Sequence, residues 1–439
     1  MKSIVIKISA FVLFTSLVSC ETDFVNPNSP TNDQILTSRE GLFGLSTGIL
    51  QLYSTQGLRF VLESPALTTR EVAANITLVN YLELEDGGAN LINTNSLLSP
   101  LWAVMLRVNQ MCSSIISNVG SVSLEEETAN SLMANAMFFK AMSIGNLAQN
   151  FEQVVTTPST DNNASFVPRQ EGFAEAISLL EDAAELIGTS GVSQDFDDAV
   201  LLGNIDLPSA IQAYLARYYL FAGNYADAIS AAGRVDKLIK STFNYDGTQN
   251  NNPVWGSGLF HTLPRDDFGI ERDFSGDGRV AFHTVVRDTT SRINKLDVEL
   301  FSGTGFFGTS TSAIPVYLPG EMQLIIAEAR VRQASPDLTA AIAAVNAVRT
   351  KTDDVFGLNA GLDPYSGPET EEDILEEIYA NRRAELFLTG MSLEDSRRFN
   401  IPEPSGNSEV YTEPRNRNFY PYPQRERSNN PNTPPDPSI

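Results

Sequence analysis

The feature that most constrains the fold is a pair of adjacent amphipathic segments, AYLARYYLFAGNYADAISAA. Leu215 and Tyr219 are one helical turn apart, so they lie on one face of a first helix. A Gly-Asn pair then interrupts the helical pattern, and Tyr225 begins a second amphipathic segment. Two helices joined by so short a break pack antiparallel against each other, and the sequence therefore predicts a helical hairpin.

A second hairpin is predicted from EMQLIIAEARVRQASPDLTAAIAAVNAVR. Ala329 and Ala341 flank its central turn in the same way that Ala216 and Ala228 flank the first turn. Small residues allow two helices to approach closely, and larger residues fill the space between them. This order of small and large residues is that of a tetratricopeptide repeat. Generic helical hairpins could produce either pattern alone, but the two patterns together favour a helical repeat scaffold.

Helical periodicity extends over much of the chain. Apolar residues recur at three- and four-residue steps from Thr37 onward, and Ser123 and Thr370 each precede an acidic first turn, as N-capping residues do. Further helices are predicted over residues 98–119, 124–149, 170–187, 206–222, 225–239, 319–333, 337–350 and 370–388. The predicted fold class is mostly α, with tetratricopeptide-type helical hairpins.

Two long segments between the predicted helices lack this periodicity. Residues 73–97 and 241–318 are rich in Asn, Gly, Asp and Pro. Loops of this length in a folded domain are usually functional or disordered. Both segments contain aromatic residues, among them Tyr81 and Trp255, which disordered chains generally lack. We therefore predict that both segments are ordered, although irregular.

The N-terminus predicts export and lipid attachment. Two lysines precede a short apolar run that fits a signal sequence and is too short to span a bilayer, because a spanning helix needs about 20 residues. The stretch LVSC, which ends at Cys20, resembles the bacterial lipobox, where cleavage before the cysteine allows acylation by chains such as palmitate. A chance apolar segment ending in Cys is the alternative. The predicted organisation is a lipoprotein signal peptide at residues 1–19, a lipidated tether at 20–36 and one domain at 37–439.

Charge and residue types argue against several classes of function. The net charge of -24 argues against binding of nucleic acid and against adsorption on anionic lipid. The two histidines, His261 and His283, lack the spacing of a zinc site. A partial match to a calcium loop, DFSGDGRVAFHT, has Thr284 where the last ligand should be Glu, so we predict no metal and no cofactor. Carboxylates are numerous, and a glycoside hydrolase therefore stays open on residue types alone.

Several motifs occur in a fixed order along the chain. LWAVMLRVNQM, with Trp102, comes first, and FSGDGRVAF, with Arg279, follows it. The second hairpin then supplies AEAR and VNAVR, the segment NRRAELFLTGMSLEDSRRF comes next, and NFYPYPQRERSNNPN lies in the tail. In this order, the motifs resemble the SusD/RagB family of outer-membrane nutrient-binding lipoproteins.

Some positions depart from the pattern of that family. Leu388 and Thr389 stand where the family has Phe and Glu, which indicates a divergent member. The charged residues Arg382, Glu385 and Arg398 match the pattern. We expect them to form ion pairs on a partly buried helix face, as part of the architecture.

The resemblance implies a SusD-like fold and a binding function without catalysis. Such a protein sits as a lid on a TonB-dependent (SusC-like) outer-membrane transporter and hands it a ligand, usually an oligosaccharide. We therefore expect a surface-facing, lipid-anchored, glycan-binding protein of polysaccharide utilisation that is not an enzyme. The same lid role for peptides or another nutrient, and a non-catalytic scaffold that binds only protein, remain open.

The resemblance also implies that the irregular half carries the ligand. Sugars stack their apolar faces on aromatic rings, and their hydroxyl groups bond to amide, carboxylate and guanidinium groups. In the segments 73–97 and 241–318, the candidate ligand-binding residues are Trp255, Tyr81, Asn75, Asn80, Asn93, Phe260, Arg265 and Asp267. Packing onto the core is the alternative for the aromatic candidates, whereas Trp102, on an apolar helix face, is predicted to be a core residue.

Overall fold

The computed structural model describes residues 35–188, 190–258, 261–265, 267–270, 272–285, 302–399 and 417–439. The predicted signal peptide, the predicted lipidation site Cys20 and almost all of the predicted tether lie outside the described residues, and so does the candidate ligand residue Phe260.

Helices make up most of the described chain, which confirms the predicted fold class. In chain order they are α1 (Arg39–Leu52), α2 (Leu58–Thr68), α3 (Val79–Asp86), α4 (Leu98–Asn118), α5 (Glu126–Asn150), α6 (Arg169–Ile187), α7 (Gln194–Phe196), α8 (Leu207–Ala222), α9 (Tyr225–Arg234), α10 (Trp255–Gly258), α11 (Gly278–His283), α12 (Pro319–Arg332), α13 (Leu338–Arg349), α14 (Glu371–Glu385), α15 (Ser392–Arg398) and α16 (Gln424–Asn429). Segment 73–97 is more regular than predicted, because it contains α3.

The strands are short and form antiparallel pairs. The pairs in the described chain are β1 (Val72–Ala74) with β5 (Thr262–Pro264), β2 (Gln153–Val154) with β3 (Val167–Pro168), β4 (Thr242–Phe243) with β8 (Ile314–Pro315), and β6 (Thr284–Val285) with β7 (Ser302–Gly303). Each pair joins segments that are distant in sequence or closes a loop, so the strands fix loops rather than form a layer.

The two predicted hairpins are present, and local signals explain their ends. Asp206 caps α8 by accepting a hydrogen bond from the Ser209 amide at 3.0 Å. Gly223 ends α8 with φ 82°, in the left-handed region that favours glycine, and α9 follows at once. In the second hairpin, the Asp337 side chain accepts from the Ala340 amide and begins α13.

The helices pack around one main core and one smaller cluster. A Cβ on Gly145 of α5 would lie 2.1 Å from the Tyr218 hydroxyl oxygen, so glycine at this position makes room for the Tyr218 ring of α8 against α5. The smaller cluster joins α12, α13 and α14 through side chains that include Val331, Val345 and Ile378. The hairpins therefore bury their apolar faces on neighbouring helices, as the repeat pattern predicts.

Three predicted helix boundaries are wrong, one of them the end of α14, which lies at Glu385 instead of residue 388. Helix α5 begins at Glu126 with Glu125 at the N-cap, so Ser123 does not cap it. Helix α9 ends at Arg234 instead of continuing to residue 239. Asp236 accepts a hydrogen bond from the Leu238 amide at 2.8 Å, and this local turn competes with the helix.

The expected ion pairs form where α12, α14 and α15 meet. Arg382 binds Asp395 through two hydrogen bonds of 2.8 and 3.0 Å. Arg398 binds both Asp395 and Glu328. Glu385 is paired with Arg279 and Lys351. These pairs are buried, and they join segments that the repeat pattern alone would not fix together.

Candidate functional site

The two segments predicted to carry the ligand meet at the β1–β5 pair. Ala73 lies opposite Leu263 in this pair. The contact continues on both sides of the strands, since the Asn75 amide donates to the His261 carbonyl at 2.7 Å and the Arg265 amide donates to the Glu71 carbonyl at 3.1 Å. Residues that are about 190 positions apart are thus held together, in a strand pair whose residues are all buried.

Tyr81 lies inside this region and not on its surface. Its side chain is only 2% exposed. Its hydroxyl accepts from Arg59 and lies 3.0 Å from Nδ1 of His261, while Arg59 also binds Glu63 at 2.9 Å. Burial raises the pKa of Tyr81 to about 12. The structure therefore buries the ring face that stacking on a sugar would need, and Tyr81 packs onto the core, which was the alternative.

The polar candidates differ in how firmly they are held. Arg265 is buried and donates to Asp267 at 3.0 Å. The other carboxylate oxygen of Asp267 accepts from the Gly269 amide at 2.8 Å. Both Asp267 oxygens are therefore engaged, whereas the buried Nε of Arg265 has no hydrogen-bond partner among the described residues. The Asn93 amide donates to Gln424 of α16 at 3.1 Å.

Three candidates are half-buried. Asn75 follows β1, Asn80 lies in the first turn of α3, and Trp255 begins the short helix α10. The Trp255 backbone amide donates to the side chain of Asn252 at 3.0 Å, which fixes the start of α10. Their contact with a ligand stays a prediction. Of the candidates, the structure brings Asn75 and Arg265 to the β1–β5 pair, and it brings Asn93 into contact with Gln424 of α16.

A groove that the sequence did not reveal lies next to Asn93. It is bounded by α4, by α16 and by the loop that connects β2 to β3, and we call it the α4–α16 groove. Its volume is about 660 Å³, which is within the range of small-molecule sites. It adjoins segment 73–97, because the Gln424 amide donates to the Asn93 carbonyl at 2.9 Å.

Trp102 forms part of the wall of the α4–α16 groove. It is 2% exposed, as predicted for a core residue. Its indole nitrogen donates to Glu426 at 3.0 Å, and its ring stacks on Phe166 with centroids 5.6 Å apart. The other Glu426 oxygen accepts from Asn430 at 2.9 Å. Trp102 and Glu426 stand in motifs that the sequence suggested, but they are 324 positions apart, so their contact could not be predicted.

The partial calcium loop has a different role in the structure. The Asp277 carboxylate binds the Arg279 side chain, with hydrogen bonds of 2.9 and 2.6 Å to Nε and Nη2. Within the described residues, no group of three His, Cys, Asp or Glu side chains is placed to hold a metal ion. The loop is a turn that holds Arg279 toward α14.

The sequence and the structure were compared with those of known proteins, and the structural comparison identifies the fold. No family model matches the sequence, and no curated protein matches it. Among solved structures, a SusD superfamily protein from Bacteroides thetaiotaomicron superimposes with a TM-score of 0.71 at 20% identity, over 91% of this chain and 99% of that one. The chain has the SusD-like fold.

Further structures show the same similarity. A SusD-like carbohydrate binding protein from Bacteroides fragilis gives a TM-score of 0.70 at 14% identity, over 91% of this chain and 99% of that one. A SusD-like carbohydrate binding protein from Bacteroides vulgatus gives 0.65 at 16% identity, over 83% and 84%. The SusD-like fold thus spans nearly the whole chain, as the order of motifs predicted.

Proposed function

We propose that this protein is a cell-surface lipoprotein that binds oligosaccharide or polysaccharide and delivers it to a partner TonB-dependent transporter of the outer membrane. The observation that carries the proposal is the SusD-like fold over about nine-tenths of the chain, shared with proteins described as carbohydrate binding. The lipobox-like LVSC stretch at Cys20 supports the lipid anchor.

The geometry suits binding and release rather than catalysis. A lid protein must hold a ligand long enough to present it and then let it go, so shallow surfaces with amide groups serve it better than a closed pocket. The half-buried Asn75 follows β1, and Asn80 and Trp255, which are also half-buried, lie in the same two segments. Sugar hydroxyl groups both donate and accept, and amide side chains match them in both roles.

Attachment to the membrane would come from the acylated cysteine. In the described part of the chain, no helix combines the length and the apolar character that crossing a bilayer requires. Two or more acyl chains give a stable anchor, whereas one chain binds only marginally. The polar, Pro-containing stretch after Cys20 would then act as the tether between lipid and lid.

Binding to a panel of polysaccharides and oligosaccharides tests the ligand. We expect retardation in affinity electrophoresis and heat in calorimetry with at least one glycan, and no new reducing ends after long incubation. Release of reducing ends would contradict a binding-only role. Binding of peptides with no response to any glycan would contradict the proposed ligand and favour another nutrient.

Two experiments test the anchor and the partner. Cys20→Ala should release the protein from the outer membrane and remove acylation by palmitate, with Cys112→Ala as the matched cysteine control, since Cys112 is fully buried. The wild-type lipoprotein should copurify with an outer-membrane transporter from its own cells. If Cys20→Ala leaves the protein membrane-bound and nutrient import intact, the tethered-lid role is wrong.

A further inference from the structure

We propose that the α4–α16 groove binds an acidic saccharide, one that carries carboxylate or sulfate groups. The inference rests on the proposed function only for the class of the ligand, a saccharide. Two points are new. The site lies outside the two candidate segments, and the ligand is negatively charged.

The negative charge of the proposed ligand is inferred from two arginines. Arg107 on α4 and Arg425 on α16 line the groove, and both are exposed. Neither makes a hydrogen bond or an ion pair with any described residue, whereas buried arginines such as Arg382 are tied to carboxylates. The lining includes two arginines and one glutamate, a net charge of +1, in a chain of net charge -24.

The one carboxylate of the lining is already occupied. One oxygen of Glu426 accepts from the Trp102 indole, and the other accepts from the Asn430 amide. Glu426 therefore does not neutralise the two arginines by direct contact, and an incoming anion finds two guanidinium groups with their donors free. Guanidinium groups bind carboxylate and sulfate-type oxygens through paired, charge-assisted hydrogen bonds.

The other residues that line the groove can contact the uncharged parts of a saccharide. Ala103, Arg107 and Gln110 share one face of α4, and Arg425 and Asn429 share one face of α16, because residues three and four apart lie side by side. Pro100, Val104 and Leu106 supply apolar surface, and Ser159, Thr160 and Asn162 supply hydroxyl and amide groups from the loop. Saccharides present both apolar C–H faces and hydroxyl groups that donate and accept.

The same lining favours a saccharide over a peptide. A peptide that binds through its backbone generally pairs with an exposed strand edge or lays a helix into a long apolar groove. The described lining consists of helix faces and a polar loop, and it offers neither feature. Amide and hydroxyl side chains around a small apolar floor, with two cations, suit a compact polar ligand with negative charge.

The test measures binding of the full mature chain to two acidic probes, oligogalacturonides and heparin oligosaccharides, and to uncharged xylan and glucan oligosaccharides. We expect the acidic probes to bind and their affinity to fall as salt is added. Arg107→Gln and Arg425→Gln should each weaken that binding about tenfold or more. Ala103→Glu, which adds a carboxylate to the α4 face of the groove, should weaken it as well.

Arg234→Gln is the matched control, because Arg234 is also exposed and lies outside the groove. It should leave binding unchanged. Binding of uncharged glycans alone, unaffected by the arginine variants, overturns the acidic-saccharide site and leaves the proposed function standing. Failure of every saccharide overturns both. If carboxylate-bearing peptides bind through the two arginines and saccharides do not, the groove binds anions but the assigned ligand class is wrong.

Discussion

The carboxylates buried where α12, α14 and α15 meet differ from those buried beside β1. At the helical junction, Asp395 is bound by Arg382 and Arg398, and Glu394 is bound by Arg169 and Arg397. Burial raises the pKa of each carboxyl, but the neighbouring arginines outweigh burial. They hold the pKa of Asp395 below its ordinary value and that of Glu394 at about 2.

Beside β1 the balance is reversed. Glu71 lies 3.9 Å from Arg383, whose guanidinium donates instead to the carbonyl oxygens of Phe268 and Thr69. Glu85 accepts from the Ala74 amide at 2.9 Å. Burial dominates at both carboxyls and raises the pKa of Glu71 to about 7 and that of Glu85 to about 7.

Protonation of the buried carboxyls thus changes the stability of the two regions in opposite directions. The junction needs its carboxylates ionised, whereas the β1 region is more stable when its carboxyls hold a proton. At the junction, Asp395 and Glu394 are each paired with two arginines of the described chain. Glu71 and Glu85 lie beside the β1–β5 pair that joins the two loop segments, so we expect the stability of this region to fall as the pH rises through about 7.

The largest expected effect follows from breaking the junction. Arg382→Ala leaves Asp395 buried with one of its two arginines removed, and loss of a partner in a buried pair costs about 3 to 5 kcal/mol. Urea unfolding at neutral pH should show this loss. The double variant with Asp395→Ala should recover part of it, because it removes the buried carboxylate that has lost one of its two arginines. Equal losses in the single and the double variant would mean that the pair contributes only packing.

The next effect concerns the pH dependence of the β1 region. The folded pKa of Glu71, about 7, lies above the ordinary value of 4.5. Its contribution to stability is therefore complete below pH 4.5 and is lost as the pH rises through 7, by about 3 kcal/mol. Glu71→Gln should flatten the unfolding free energy between these pH values in a urea series.

Glu394→Gln provides the opposite comparison. The lowered pKa of Glu394 makes its stabilisation complete above pH 4.5 and lost as the pH falls toward 2. This variant should therefore lose stability at neutral pH and approach the wild type in acid. If both variants shift the unfolding free energy in the same direction at pH 7, the contrast between the two regions is wrong.

Whether a feature could be predicted from the sequence depends on how far apart its residues lie along the chain. The α8–α9 hairpin was predictable because Asp206, Gly223 and the alanines all lie within one short stretch. The burial of Tyr81 was not, since it depends on His261, which is 180 positions away. The α4–α16 groove needs contacts between α4 and the C-terminal tail, and no local pattern reports such a contact.

A smaller effect tests whether Tyr81 is structural. Tyr81→Phe removes the acceptor for Arg59 and the contact with His261, at a cost of about 1 to 2 kcal/mol. Glycan affinity should stay unchanged once the variant is folded, because the ring face is buried. Tyr365→Phe is the control, since its exposed hydroxyl donates only to the Pro368 carbonyl. A loss of glycan affinity without a loss of stability would return Tyr81 to the ligand site.

The smallest effect lies on the helical side of the comparison, at the start of α14. The Thr370 hydroxyl accepts from the Asp373 amide at 3.2 Å and caps the helix whose far end carries Arg382 and Glu385. Thr370→Ala should cost about 1 kcal/mol, the ordinary value of an N-cap, and Thr370→Ser should restore it. Because Thr370 and Arg382 lie at opposite ends of α14 and share no partner, we expect their losses of stability to add in the double variant. A Thr370→Ala loss in urea unfolding that is clearly smaller in the Arg382→Ala background would contradict this and show that the two ends of α14 are coupled.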